Sequence, residues 1–171
     1  MGSGKDAYIK SKNSVSLIKK LLISGVSPKK AIATVNTSML LLNDELGFST
    51  IDLCNISLKT GLAEIYKCGA YLSLIARNNS ISKILGGGFP AGLEDNSKPV
   101  SEQIQLINND ILVMLSDGVS SAIEYVEAEL LLNLNNSIEI SAKRILSSAY
   151  ENTPEKFDDD MSVVVCKIIE K

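Results

Sequence analysis

Between Lys5 and Ser24 the apolar side chains fall at Val15, Ile18, Leu21 and Leu22, with Lys19 and Lys20 on the opposite side, which is the spacing of an amphipathic helix. Gly25 stops that pattern. Ser27-Pro28 restarts it with a capping hydroxyl and a proline at the first helical position, and Ala31, Ile32, Val35, Met39 and Leu42 continue one face. Residues 5–43 therefore read as a helical hairpin. After Gly47 the period falls to two: Ile51, Leu53 and Ile56 alternate with polar residues, and Lys59-Thr60-Gly61 supplies a turn before Ala63 to Cys68. Tyr71 to Ala76, Ile81 to Leu85, Glu102 to Ile107 and Ile111 to Leu115 add short strands, punctuated at Arg77-Asn78-Asn79 and Asn108-Asn109-Asp110. The stretch 48–116 is expected to be an antiparallel meander.

Helical spacing returns from Ala122 to Leu132, and Asn136 with Glu139 three positions on resembles a capping box opening a helix to about Tyr150. The chain ends on Ser162 to Ile169, whose near-continuous Val163, Val164, Val165, Ile168 and Ile169 predict a strand covered on both faces. Two helices, a run of strands, helices over 121–150 and a last strand over 162–169 make the fold class α+β, one domain with helices layered on an antiparallel sheet.

Composition narrows the chemistry. At 171 residues and 45% hydrophobic the chain suits a single globular domain, and a net charge of −3 offers no basic surface for a nucleic acid or an anionic membrane. There is no histidine, which removes imidazole bases, Ser-His and Cys-His nucleophiles and His-ligated zinc together. Cys54, Cys68 and Cys166 form no CxxC pair; they read as small core residues in a reduced, cytoplasmic protein. No apolar run approaches the roughly 20 residues of a membrane helix. Gly86-Gly87-Gly88 lacks a following Lys-Ser/Thr and reads as a flexible loop, and Lys19-Lys20 and Lys29-Lys30 as wet helix faces.

Two acidic constellations remain. Leu115-Ser116-Asp117-Gly118-Val119 sets a carboxylate at the end of an apolar strand, beside a glycine that would let a ligand approach; alone it is equally an ordinary Asp-Gly turn. Phe157-Asp158-Asp159-Asp160-Met161 precedes the last strand, and alone reads first as a solvated loop. Taken together, an Asp ending one strand and an Asp starting its antiparallel neighbour would lie side by side. Such an all-oxygen pair selects hard ions, Mg²⁺ or Mn²⁺, and carboxylate-held metals that activate water hydrolyse phosphate esters without histidine.

Read in order, Met1-Gly2-Ser3-Gly4, Phe48-Ser49-Thr50-Ile51-Asp52-Leu53, Lys67-Cys68-Gly69-Ala70, Pro90-Ala91-Gly92-Leu93, Val100-Ser101-Glu102-Gln103, Ser116-Asp117-Gly118 and Asp158-Asp159-Asp160-Met161-Ser162-Val163-Val164-Val165 closely resemble the phosphatase domain of the stage II sporulation protein E family, within the metal-dependent serine/threonine protein phosphatases. Each motif is weak alone; seven collinear ones, spanning nearly the whole chain, are specific. The resemblance implies an αββα sandwich, Mn²⁺ or Mg²⁺ as cofactor, Asp117 and Asp159 as metal ligands, Gly118 and Asp160 as supporting positions, and Asp158 in solvent. It also implies a phosphorylated protein substrate, an anti-sigma-factor antagonist, and helices over Lys5 to Asn43 that control the metal site. In the family an Asp-Gly pair stands directly before the segment matching Met1, and its Asp bridges two metals. This chain starts one residue later, so it reads as the C-terminal larger part of such a domain, with open sheet edges that invite a homodimer. The contrasting expectation is a catalytically silent regulatory or interaction module that uses the two helices as its docking surface.

Overall fold

The computed structural model describes residues 4–41, 48–95, 97–154 and 159–170. The described elements are α1 (Gly4–Ile23), α2 (Pro28–Leu41), β1 (Ile51–Ile56), β2 (Leu62–Cys68), β3 (Ser73–Arg77), β4 (Ser80–Ile84), β5 (Val100–Gln105), β6 (Ile111–Leu115), α3 (Ile123–Leu132), α4 (Ile138–Asn152) and β7 (Val163–Lys167). The chain divides into two compact units, one running to Ala70 and resuming over Gly86–Ile104, the other made of Tyr71–Leu85 and Gln105 onward.

In the first unit the helices end as their glycine and serine signals dictate. Gly25 takes a φ of 81°. Its N–H reaches the Leu22 carbonyl while that of Val26 reaches Leu21, which closes α1 in a Schellman turn. α1 and α2 lie on a sheet of order β1-β2-β5, with Ile18, Ile32 and Val35 packed on Ile51, Tyr66 and Cys68. Val15 does not join this core: the buried line of α1 runs through Ser14 and Ile18, with Leu17 and Leu22 partly covered, and leaves Val15 62% exposed. Asp52 stands opposite Lys67 across β1 and β2, and their charges meet at 2.7 Å with the ammonium almost fully buried. Burial likewise pushes the Cys68 thiol up to about 11, which removes it as a thiolate nucleophile near neutrality.

The second unit is a sheet of order β4-β3-β6-β7, antiparallel throughout. The expected meander is thus two sheets. β5 flanks β2, and β6 pairs instead with β3 and β7. Leu74, Ala76, Ile111, Val113 and Leu115 share one face, packed with Val126, Leu130, Ile145 and Ala149 of α3 and α4. Each of the valine, leucine and isoleucine side chains contributes about 1.5–3 kcal/mol through burial. The last strand is shorter than expected and lies at the sheet edge; it is covered on one face, so Val163 and Val165 face the core while Val164, on the other face, is 59% exposed. The cap of α4 also shifts by one: the Ser137 hydroxyl accepts from the Ile140 N–H, and Asn136 donates instead to the Asn133 side chain.

Asp110 closes the β5–β6 turn. Its buried carboxylate accepts from Arg77 at 2.8 and 2.6 Å and from the Ile107 N–H at 2.8 Å. Burial by itself would raise its pKa, but the Arg77 guanidinium and the Ile107 amide outweigh this and hold it below its ordinary 3.8. A depressed folded-state pKa gives stability that is present above 3.8 and lost as the pH falls below it toward the folded value. Asp110→Ala should therefore cost about 2 kcal/mol at neutral pH, and the deficit should shrink in acid below that value. Urea unfolding midpoints at neutral and acid pH would check this, with no change at neutral pH refuting it.

Candidate metal and phosphate site

The candidate residues sit where β6 and β7 meet. Register pairs Leu115 with Val163, so the next residue out on each side is a serine, and the two serines join the strands. The Ser116 N–H donates to the Ser162 carbonyl at 3.0 Å, and the Ser116 hydroxyl accepts from the Ser162 N–H at 2.8 Å. The same hydroxyl donates to the Asp160 carbonyl at 3.3 Å. Ser116 thereby ties the strand end before Asp117 to the segment that carries Asp159 and Asp160.

Asp117 opens a 3-10 turn over Asp117–Ala122 and is exposed, as are Asp159 and Asp160. Gly118 is buried directly behind it, where a Cβ would lie 2.6 Å from the Asp160 carbonyl oxygen and 3.3 Å from that of Asp159. Space that the sequence reading assigned to an approaching ligand is filled by the protein's own backbone. One Asp159 carboxylate oxygen accepts from the Asp160 N–H at 2.8 Å, which fixes the side chain against its own loop. Met161 is buried in the core just beyond, so the acidic loop is anchored on the strand side.

The fold thus brings the Ser116-Asp117-Gly118 turn and the Asp159-Asp160 loop into contact through Ser116 and the backbone at Gly118. Their donors are oxygen only, the kind that suits a hard divalent ion. Among the described residues no group of three or more His, Cys, Asp or Glu side chains is placed to hold a metal. Asp158 and the Met1-Gly2-Ser3 segment lie outside the described residues. Sequence reasoning found the acids but missed the serine: Ser116 was read only as part of a motif, and its role follows from the β6–β7 register.

Gly86-Gly87-Gly88 leads into no helix. A Cβ on Gly87 would meet Val100 at 3.0 Å, and the Gly87 carbonyl accepts from the Gly69 N–H at 3.0 Å. Among the described residues no helix is long and apolar enough to cross a membrane.

Comparison with known proteins gives a consistent result. The family described as stage II sporulation protein E matches residues 1–169. Stage II sporulation protein E of Bacillus subtilis (strain 168) is 32% identical over 178 residues, covering 98% of this chain and 21% of that protein. Its counterpart in Priestia megaterium is 31% identical over 185 residues, covering 98% of this chain and 30% of that protein. The chain therefore spans well under half the length of these relatives. A solved structure of the PP2C phosphatase domain with a fragment of the regulatory domain of SpoIIE from Bacillus subtilis superposes with a TM-score of 0.80 at 27% identity, over 98% of this chain and 52% of that one. The α+β fold, with four α-helices and two antiparallel sheets among the described residues, is that of a PP2C phosphatase domain.

Gly118→Ala should force the strand ends apart and cost about 2 kcal/mol, and Ser116→Ala about 1 kcal/mol through the acceptor it removes. Urea denaturation of both variants tests the junction; wild-type stability in Gly118→Ala would show that the contact with Asp160 is not tight.

Proposed function

The chain belongs to the stage II sporulation protein E family, and we propose that it is the larger part of a metal-dependent protein serine/threonine phosphatase domain. It acts in this reading on phosphoserine or phosphothreonine of a protein, an anti-sigma-factor antagonist in keeping with the relatives' sporulation names. The observation that carries the reading is the joining of Ser116-Asp117-Gly118 to Asp159-Asp160, through the Ser116 hydroxyl and the backbone contact at Gly118.

Asp117 and Asp159 would hold Mn²⁺ or Mg²⁺ through their carboxylates. The ion, when bound, lowers the pKa of water and offsets charge on the phosphoryl oxygens. The chain's own part is placement. Asp117 is set by the end of β6, and Asp159 is oriented by the hydrogen bond from the Asp160 N–H, which engages one oxygen. Gly118 and Asp160 bring the turn that carries Asp117 and the loop that carries Asp159 into backbone contact. With no histidine in the sequence, no imidazole relays protons here. A homodimer would cover open sheet edges such as β7.

A second reading, a catalytically silent regulatory module on the same fold, is favoured by one observation: no described group of three acids can hold a metal. Hydrolysis of p-nitrophenyl phosphate and of a phosphoserine peptide, with and without millimolar Mn²⁺, separates the two. Turnover should require the metal, and Asp117→Asn or Asp159→Asn should lower it about a hundredfold or more. If the chain is inactive with every metal, and stays inactive when extended upstream by the family's Asp-Gly segment, the silent module is the correct reading.

A further inference from the structure

Asn36 lies within α2 and is 3% exposed, yet both halves of its amide leave the helix for one loop. Its Nδ2 donates to the Glu94 carbonyl at 3.1 Å, and its Oδ1 accepts from the Gly92 N–H at 2.8 Å. Asparagine is a poor residue for a helix interior, because its side chain competes for the backbone, and a buried amide is tolerated only where its groups are bonded. At this position those bonds are made to a segment more than fifty residues away in sequence.

That segment, Gly86–Asp95, contains no helix or extended strand. It is held on one side where Ser49 and Ala91 exchange a pair of backbone hydrogen bonds at 2.9 and 2.8 Å, and on another where the Gly69 N–H donates to Gly87. Gly88 and Gly92 take φ values of 72° and 87° and bracket Phe89, Pro90 and Ala91. Phe89 and Leu93, 52% and 45% exposed, are the apolar side chains the loop presents to solvent. α2 also carries Ile32 and Val35, which pack in the same core as Ala91.

We propose that Asn36 is a positioning residue that makes α2 and the Pro90–Glu94 loop one moving part, so that the place of Phe89 and Leu93 is set by α2. The two hydrogen bonds point in opposite senses, one from the loop and one to it, so a slide of the loop along the helix breaks at least one. A break strands a buried amide group, and the loop therefore opens with the helix rather than ahead of it. Whatever displaces α2, a partner on its outer side at Thr34 and Thr37 for example, displaces the loop as well.

Amide hydrogen exchange on the whole chain, followed by NMR at several low urea concentrations, tests the coupling without any assumption about catalysis. In the wild type the Gly92 amide should exchange through the same opening, with the same urea dependence, as the amides around Val35 in α2. Asn36→Val should lower the protection of Gly92 by about tenfold or more while the α2 amides change little. The wild-type comparison of Gly92 with the α2 amides stands by itself if the valine variant does not fold. A Gly92 amide that exchanges through its own smaller opening in the wild type, or that is as well protected in Asn36→Val, overturns the proposal.

Discussion

The pairing of β6 with β7 governs what the acidic ends of these strands can do. β6 has a partner on both sides, and its Ile111, Val113 and Leu115 point into the core beneath α3 and α4. Val163 and Val165 of β7 share that face. Sheet side chains alternate, so a slip of one residue would turn both valines outward and Val164 inward. Core burial therefore sets the register, and the register sets Ser116 against Ser162 and Gly118 against Asp160. The Asp117 turn and the Asp159-Asp160 loop are held against each other by apolar packing beyond them.

The first unit fixes its own register in a different way. Ile51 and Leu53 face the helices, and Asp52, on the other face of the same strand, stands opposite Lys67. A buried ammonium separated from its carboxylate carries a desolvation penalty of several kcal/mol, so a shifted pairing that put Lys67 beside Ile51 or Leu53 is strongly disfavoured. Apolar packing and charge pairing thus select the same alignment from opposite faces of β1 and β2. Asn36 uses the same physics for a loop in place of a strand: its buried amide is stable in one arrangement of its partners.

Much of this was legible in the sequence where one residue acts on its neighbours. Gly25, Ser27-Pro28, Asn78-Asn79 and Gly61 mark helix ends and turns through their own backbone preferences, and the structure places turns there with positive φ at Gly25, Gly61, Asn78 and Asn79. Patterns that depend on distant partners were less legible. The run Val163-Val164-Val165 looks the same whether one face of a strand is covered or both, and only the exposure of Val164 in the fold shows that one face is open. Val15 keeps helical spacing with Ile18 but falls just outside the stripe that α2 and β1 cover. The split of the strands into two sheets could not be read from period two, which records alternation within a strand and nothing about which strand lies beside it. The turn after β6 and the loop before β7 were legible because strand ends are predictable; the contacts of Ser116 and Asn36 were not, because a hydrogen bond across forty or more residues leaves no local pattern.

Glycine shows the same division between local and distant causes. Gly69 and Gly118 stand in short motifs where a turn, or room for a ligand, is the simplest reading. In the structure both are contact points for another part of the chain: a Cβ would lie 2.6 Å from the Pro90 ring at Gly69 and 2.6 Å from the Asp160 carbonyl at Gly118. At Gly118 the missing side chain lets two backbones touch, and that contact holds the Asp117 turn against the Asp159-Asp160 loop. A larger residue there would leave every acid in the sequence and still part the turn from the loop, because what this junction requires of residue 118 is the absence of volume.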